Sequence, residues 1–347
     1  MDSPRSSATY SEQPRSLSAV RDDDGSAWES REPKPTAFQI WRMPVLLFLL
    51  TAVSVVFFGG GGFMWLAEGV SGAATPLALV PQILARGVPV AVTLLAILVC
   101  HEFGHYFAAR AHRVEASPPY FIPFPSLLGT MGAVIRMRGN IPTRSALVDI
   151  GASGPIAGFV VAVPLLLYGL SLSHVEATGA SPPLIPLASP LGLLMSMFQE
   201  PAQPQGLLME GSSLIYLLAK KLVVGTIPEG SDVMLHPIAM AAWFGLLVTA
   251  INLIPIGQLD GGHVLYAVLG ERARTVGRVM VGGLVVLGFF ASFTWLMWAF
   301  LGWKIVGTRH PPVSDPYEPL GPGRRAIAWC SLAMFVVTFV PVPMQQL

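Results

Sequence analysis

Apolar runs that reach or approach the roughly 20 residues needed to cross a bilayer recur along this chain. They lie at about 44–66, 88–111, 147–172, 237–256, 276–303 and 326–342. Backbone inside hydrocarbon must pair its own amides and carbonyls, so runs of this kind fold as helices. With 53% hydrophobic and only 12% charged residues, the chain reads as an all-α polytopic membrane protein of about six transmembrane helices. A net charge of +1 carries no nucleic-acid signature. Two cysteines, Cys100 and Cys330, make no disulfide framework, and Cys100 reads as a small buried residue.

Residues 1–37 are rich in Ser, Pro, Arg and Asp, include Asp22-Asp23-Asp24, and read as a disordered cytoplasmic tail without a signal-peptide pattern. Residues 38–347 then form one membrane-embedded domain. Gly59 to Gly62 mark either a helix break or a close-packing point. Pro118, Pro119, Pro123 and Pro125 bar a regular helix, and residues 128–138 alternate Met131, Ala133, Ile135 and Met137 against Gly132, Val134, Arg136 and Arg138. That period predicts a small membrane-associated β-hairpin after the second span. Gly154 and Gly158 make a G-x-x-x-G face that lets another helix come close. Residues 173–235 form a Pro-rich insertion whose apolar patches, 191–198 and 214–224, are too short to cross, which predicts a membrane-surface or re-entrant loop.

Loop cations set the expected orientation. Arg42, the 110–144 loop and Arg272, Arg274 and Arg278 all favour the cytoplasm, and six spans with both ends inside satisfy them. Lys304, Arg309, Arg324 and Arg325 then fall on the outside, a poor fit.

Within the second run stands His101-Glu102-Phe103-Gly104-His105. Histidines at i and i+4 share one helix face and can reach a single Zn²⁺ at roughly 2.0–2.1 Å, with Glu102 placed to take a proton from a water that the metal activates. Two histidines are too few for a catalytic zinc, which takes three protein ligands. His112 on the same face lies roughly 10 Å along the axis from His105, too far to share an ion. Asp260 is the better third ligand, because a lone carboxylate in an apolar stretch costs about 2.5–3.5 kcal/mol or more and a cation removes that cost. The alternatives are a structural histidine pair, a loop acid or helix cap for Asp260, and an inter-helix bridge for Asn252. His263 reads equally as a residue behind the metal ligands or as interfacial, and Asp149 as a cap of the third span.

HEFGH in one span, DIGASGPIAG in the next and NLIPIGQLDGGH in a later one resemble the site-2 protease family of intramembrane zinc metalloproteases. The resemblance covers about 85–270, the expected catalytic core, and looks like the branch without a PDZ domain. It implies one zinc per chain held by His101, His105 and Asp260, Glu102 as general base, and Asn252 holding substrate or the oxyanion. It also implies cleavage of transmembrane segments of other membrane proteins inside a lipid bilayer. The expected setting is the inner membrane of a prokaryote, with the site toward the cytoplasmic side. A metal-binding transporter or an inactive scaffold remains as an alternative, and Glu102 separates them, since transport has little need of an acid that is not a ligand.

Overall fold

Lipid offers a backbone no partner, and in the computed structural model the chain answers mostly with helices. Residues 36–61, 76–177, 189–196 and 208–346 are described; nearly all of the expected tail, the end of the first expected span at 62–66 and parts of 173–235 lie outside them. Two units are distinguished, Met1–Ile40 and Trp41–Leu347. In the first, Thr36 and Gln39 cap each other, Gln39 N–H donating to Thr36 Oγ1 (3.3 Å) and Thr36 N–H to Gln39 Oε1 (2.8 Å), which starts a helix at Ala37.

The helices are α1 (Ala37–Ser54, continued by a π turn to Gly59), α2 (Pro76–Ala111), α3 (Arg144–Ser171), α4 (Pro190–Ser196), α5 (Leu214–Val223), α6 (Pro237–Asn252), α7 (Asp260–Leu269), α8 (Ala273–Phe290), α9 (Thr294–Leu301) and α10 (Pro322–Thr338). The glycine run after α1 does both jobs expected of it. The helix stops there, and a Cβ on Gly60 would come within 2.6 Å of Gly87 Cα in α2.

Among the described residues, eight short strands form four two-stranded antiparallel sheets. β1 (Glu115–Ala116) pairs with β4 (Met137–Arg138), and β2 (Tyr120–Pro123) with β3 (Thr130–Val134), Phe121 opposite Ala133. The extended segment read at 128–138 thus lies in β3 and β4. From Ala133 to Arg138 exposure alternates as its pattern requires, although Met131 is exposed. β5 (His174–Ala177) pairs with β7 (Ser231–Met234), and β6 (Leu208–Glu210) with β8 (Met344–Gln346).

Among the described residues, four helical stretches are long and apolar enough to cross a membrane: Ala37–Gly59, Val80–Ala111, Arg144–Ser171 and Asp260–Phe290. The count of six is not reproduced. α6 has 16 residues and α10 has 17, about 24 and 26 Å against a core of about 30 Å. The run expected at 276–303 is interrupted between α8 and α9.

The orientation also changes. One end of the bundle holds the close of α2 and the start of α3, where His112 Nε2 meets Asp149 Oδ2 at 2.8 Å. Arg324, in the first turn of α10, forks onto the same Asp149 at 2.8–3.1 Å. Asp315 N–H donates to the Pro142 carbonyl (2.8 Å). The 309–325 loop therefore sits with the other arginines, not opposite them. The reason is a reversal between α8 and α9, at 291–293. Gly288 lies against Leu296 and Gly302 against Ile256 and Val281, so α9 and the π turn that continues it, Gly302–Val306, run back along α8. Gly307 (φ 72°) then reaches Gly257 so closely that a side chain on Gly257 would strike the Gly307 carbonyl. At the other end β8 joins β6, Trp243 Nε1–H donates to the Gly211 carbonyl (2.9 Å) and His236 N–H to Ser173 Oγ (2.9 Å). Within the second unit, Trp41 stacks on Phe103 at 6.4 Å, away from the end where the last described strand lies. The largest core cluster lies between α2, α3 and α6, with Leu94, Ile97, Leu166, Leu170 and Trp243 all buried.

Candidate metal centre

A helix that places three polar side chains in an apolar bundle needs neighbours that come close without offering bulk. α3 supplies them. Its Gly154 and Gly158 face the imidazoles of α2: a Cβ on Gly154 would overlap the His105 ring, and one on Gly158 would lie 3.2 Å from His101 Nδ1. Gly104, between the histidines, answers in kind, since a Cβ there would lie 2.6 Å from the Ser153 carbonyl. The G-x-x-x-G face therefore brings helices together as expected, and what fills the space is a pair of histidine rings.

His101 and Glu102 are buried, at 2% and 6% exposure. His105 Nδ1 lies 2.7 Å from the Ile150 carbonyl, which can only accept, so Nδ1 carries the proton and Nε2 the lone pair. That Nε2 lies 3.2 Å from His101 Nε2 and 3.2 Å from Asp260 Oδ2, and His101 Nε2 is likewise 3.2 Å from Asp260 Oδ2. Electron-rich atoms converge on a triangle with no room for three protons. Ligands at about 2.0–2.1 Å around a tetrahedral zinc stand about 3.3 Å apart, so the donor set and its spacing fit one such ion. Among the described residues, His101, His105 and Asp260 make up the one cluster of three or more metal-binding side chains.

Asp260 reaches this point differently from the expectation. It stands not in an open glycine break but as the first residue of α7, with Leu259 as N-cap, where the helix dipole favours its charge. The glycines beside it serve close approach: a Cβ on Gly262 would lie 2.6 Å from the Ile256 carbonyl, and one on Gly261 would strike the Leu253 carbonyl. Asn252, the last residue of α6, brings Nδ2 to 3.3 Å from His101 Nε2, so four residues from three helices meet.

Three side chains read less sharply in the sequence also find places. Asp149 does not cap α3, a task performed by Thr143, whose side chain accepts from Ala146 N–H. It holds His112 and Arg324 instead. His112 is absent from the cluster, as its distance along α2 requires. His263 packs its Cβ against Gly151 and brings Nδ1 to 2.5 Å from His310 Nε2, and His310 in turn stacks on Tyr266. It therefore sits behind the cluster and faces the 307–321 loop. Sequence reading missed the Ile150 carbonyl, and no residue pattern announces a main-chain atom. It also missed Arg324 and His310, because their loop was assigned to the far end.

The sequence model of peptidase family M50 matches residues 89–295. Across 326 residues, 90% of the chain, the sequence is 30% identical to the Arabidopsis thaliana protein named "Probable zinc metalloprotease EGY1, chloroplastic", covering 55% of that protein. It is 29% identical over 327 residues to the Oryza sativa subsp. japonica protein of the same name, covering 90% of the chain and 52% of the relative. It is 31% identical over 224 residues to "Probable zinc metalloprotease EGY2, chloroplastic" of Oryza sativa subsp. indica, covering 63% of the chain and 36% of the relative. The chain thus spans about half the length, or less, of these relatives. No solved structure matches it.

Proposed function

The chain belongs to peptidase family M50, the site-2 protease family, and from that membership we propose that it is a membrane zinc endopeptidase cutting peptide bonds within or near transmembrane segments of other proteins. The observation that carries this reading is the 3.2 Å triangle of His101, His105 and Asp260, with Glu102 buried beside it. These three residues would hold one zinc per chain, and the ion would supply Lewis acidity toward a peptide carbonyl and toward water.

The protein groups do the rest. Glu102 takes a proton from the attacking water as its oxygen bonds to the carbonyl carbon, then gives that proton to the amide nitrogen as the C–N bond breaks. Asn252 directs its amide to the carbonyl oxygen as negative charge develops there. The Ile150 carbonyl holds the His105 ring in one orientation throughout. Because helical amides are already bonded, the substrate must be extended at the cut, and β3, in a two-strand sheet, offers an edge to which it can add. Gly132→Pro tests that step. Gly132 has φ 92°, which a proline ring cannot adopt, so β3 should bend. Cleavage is expected to fall with bound zinc unchanged; loss of zinc as well would refute the edge role.

The cation-rich end, with Arg110, Arg136, Arg144, Arg272 and Arg325, is taken as cytoplasmic. The expectation of a prokaryotic inner membrane has no support in the relatives, whose names say chloroplastic. The deciding experiment is metal analysis of the purified protein in bilayer discs together with cleavage of a single-span substrate before and after chelation. The expected result is about one zinc per chain, loss of cleavage on chelation, and recovery on adding zinc. Equal cleavage by the zinc-free protein would sink the reading.

A further inference from the structure

Away from the metal centre, the cation-rich end contains a cavity of about 430 Å³ between the start of α3, the end of α7 and the first turns of α10. Arg144, Arg325, Tyr317 and Trp329 line it along with the apolar Val268 and Leu320. Arg144 donates to the Ala267 and Val268 carbonyls (2.7 and 2.9 Å), both uncharged acceptors. Arg325 makes no side-chain hydrogen bond or ion pair among the described residues. Asp149 holds Arg324 and His112, and Glu318, between the lining residues Tyr317 and Pro319, is not itself among those that line the cavity. Two positive charges, and no acid among the lining residues, face one space.

The level of the cavity matters as much as its charge. Trp329 follows Arg325 by four residues, one turn or about 6 Å deeper along α10, and is 54% exposed. Arginine above tryptophan is the order in which a helix meets headgroups and then the glycerol region. A basic pocket between helices on the cytoplasmic side suits a phosphate that carries acyl chains.

The geometry points to this cavity as a binding site for the phosphate headgroup of an anionic glycerophospholipid, with Arg325 donating to the phosphate, Arg144 adding charge behind it, and Trp329 and Leu320 beside the apolar portion. The assignment is independent of proteolysis. It places a lipid against α7, the helix whose other end carries Asp260.

The test uses the full chain in bilayer discs of equal parts phosphatidylglycerol and phosphatidylcholine, with retained lipids counted by native mass spectrometry. Wild type is expected to keep phosphatidylglycerol in preference. Arg325→Gln should reduce that preference about fivefold, the worth of one interfacial cation, and Arg325→Lys should keep most of it. Arg278→Gln removes an exposed charge outside the cavity and should change nothing. An equal drop in Arg278→Gln, or none in Arg325→Gln, would show only diffuse surface charge and overturn the site. Displacement of the lipid by millimolar sodium phosphate would overturn the lipid as its source.

Discussion

Glu102→Gln is expected to keep zinc at wild-type stoichiometry while lowering hydrolysis of a single-span substrate by roughly 10²–10⁴-fold, the usual worth of a positioned proton carrier. The variant has nearly the same volume and carries no charge, so a site 6% exposed accepts it without a cavity or a new charge. It touches none of the three atoms of the 3.2 Å triangle. What it loses is the ability to take a proton from water and return it to the leaving nitrogen. Both quantities are measured on one preparation, zinc by elemental analysis and cleavage by gel. Loss of zinc would mean that Glu102 supports the ligands; undiminished cleavage would remove it from the chemistry. A transporter using the same ligands would pass this substitution unaffected, so the result also separates the two classes of function.

Gly154→Val is expected to do the reverse, reducing zinc affinity by roughly 10–100-fold, as changes behind a ligand commonly do. A side chain at position 154 enters the space of the His105 ring. The ring cannot yield by turning, because its Nδ1–H is fixed to the Ile150 carbonyl at 2.7 Å, one turn earlier on the same helix. Backing the helices apart would open the close contact between Gly104 and the Ser153 carbonyl. Gly158→Ala should be milder, its Cβ standing 3.2 Å from His101 Nδ1, a tightness that a shift of a few tenths of an ångström relieves. Chelator competition gives the affinities, and thermal unfolding of the same samples controls for overpacking of about 1–3 kcal/mol. Wild-type affinity in Gly154→Val would show that the glycine face does not set the ring position.

The candidate ligands were legible in sequence because lipid makes polar residues conspicuous. His101, His105 and Asp260 each stand out against their apolar surroundings, and helical spacing puts the first two on one face. The helical stretches were legible for the same reason. The path of the chain after Phe290 was not. Hydrophobicity marks that 294–306 is apolar, yet nothing in it says that the backbone has already turned back at 291–293, so that Gly302 lies against Ile256 instead of continuing the crossing of α8. The arginine excess did hold the clue: once the 309–325 loop joins the other cations, the misfit of Arg309, Arg324 and Arg325 disappears. Asp149 illustrates a second limit. An acid near a helix start reads as a cap, and only the arrival of Arg324 from 175 residues away reveals a clamp.

The partner that orients His105 is a peptide oxygen, not a side chain, and this changes how the site can drift. Any residue at position 150 presents the same carbonyl, so substitutions there leave the tautomer of His105 untouched while they alter packing. The feature that can disturb it is the course of α3 itself, where Pro155 contributes no N–H. The electronic character of this ligand is therefore inherited from backbone shape, while the identity of residue 150 is set by its packing against Ala109 and Val114.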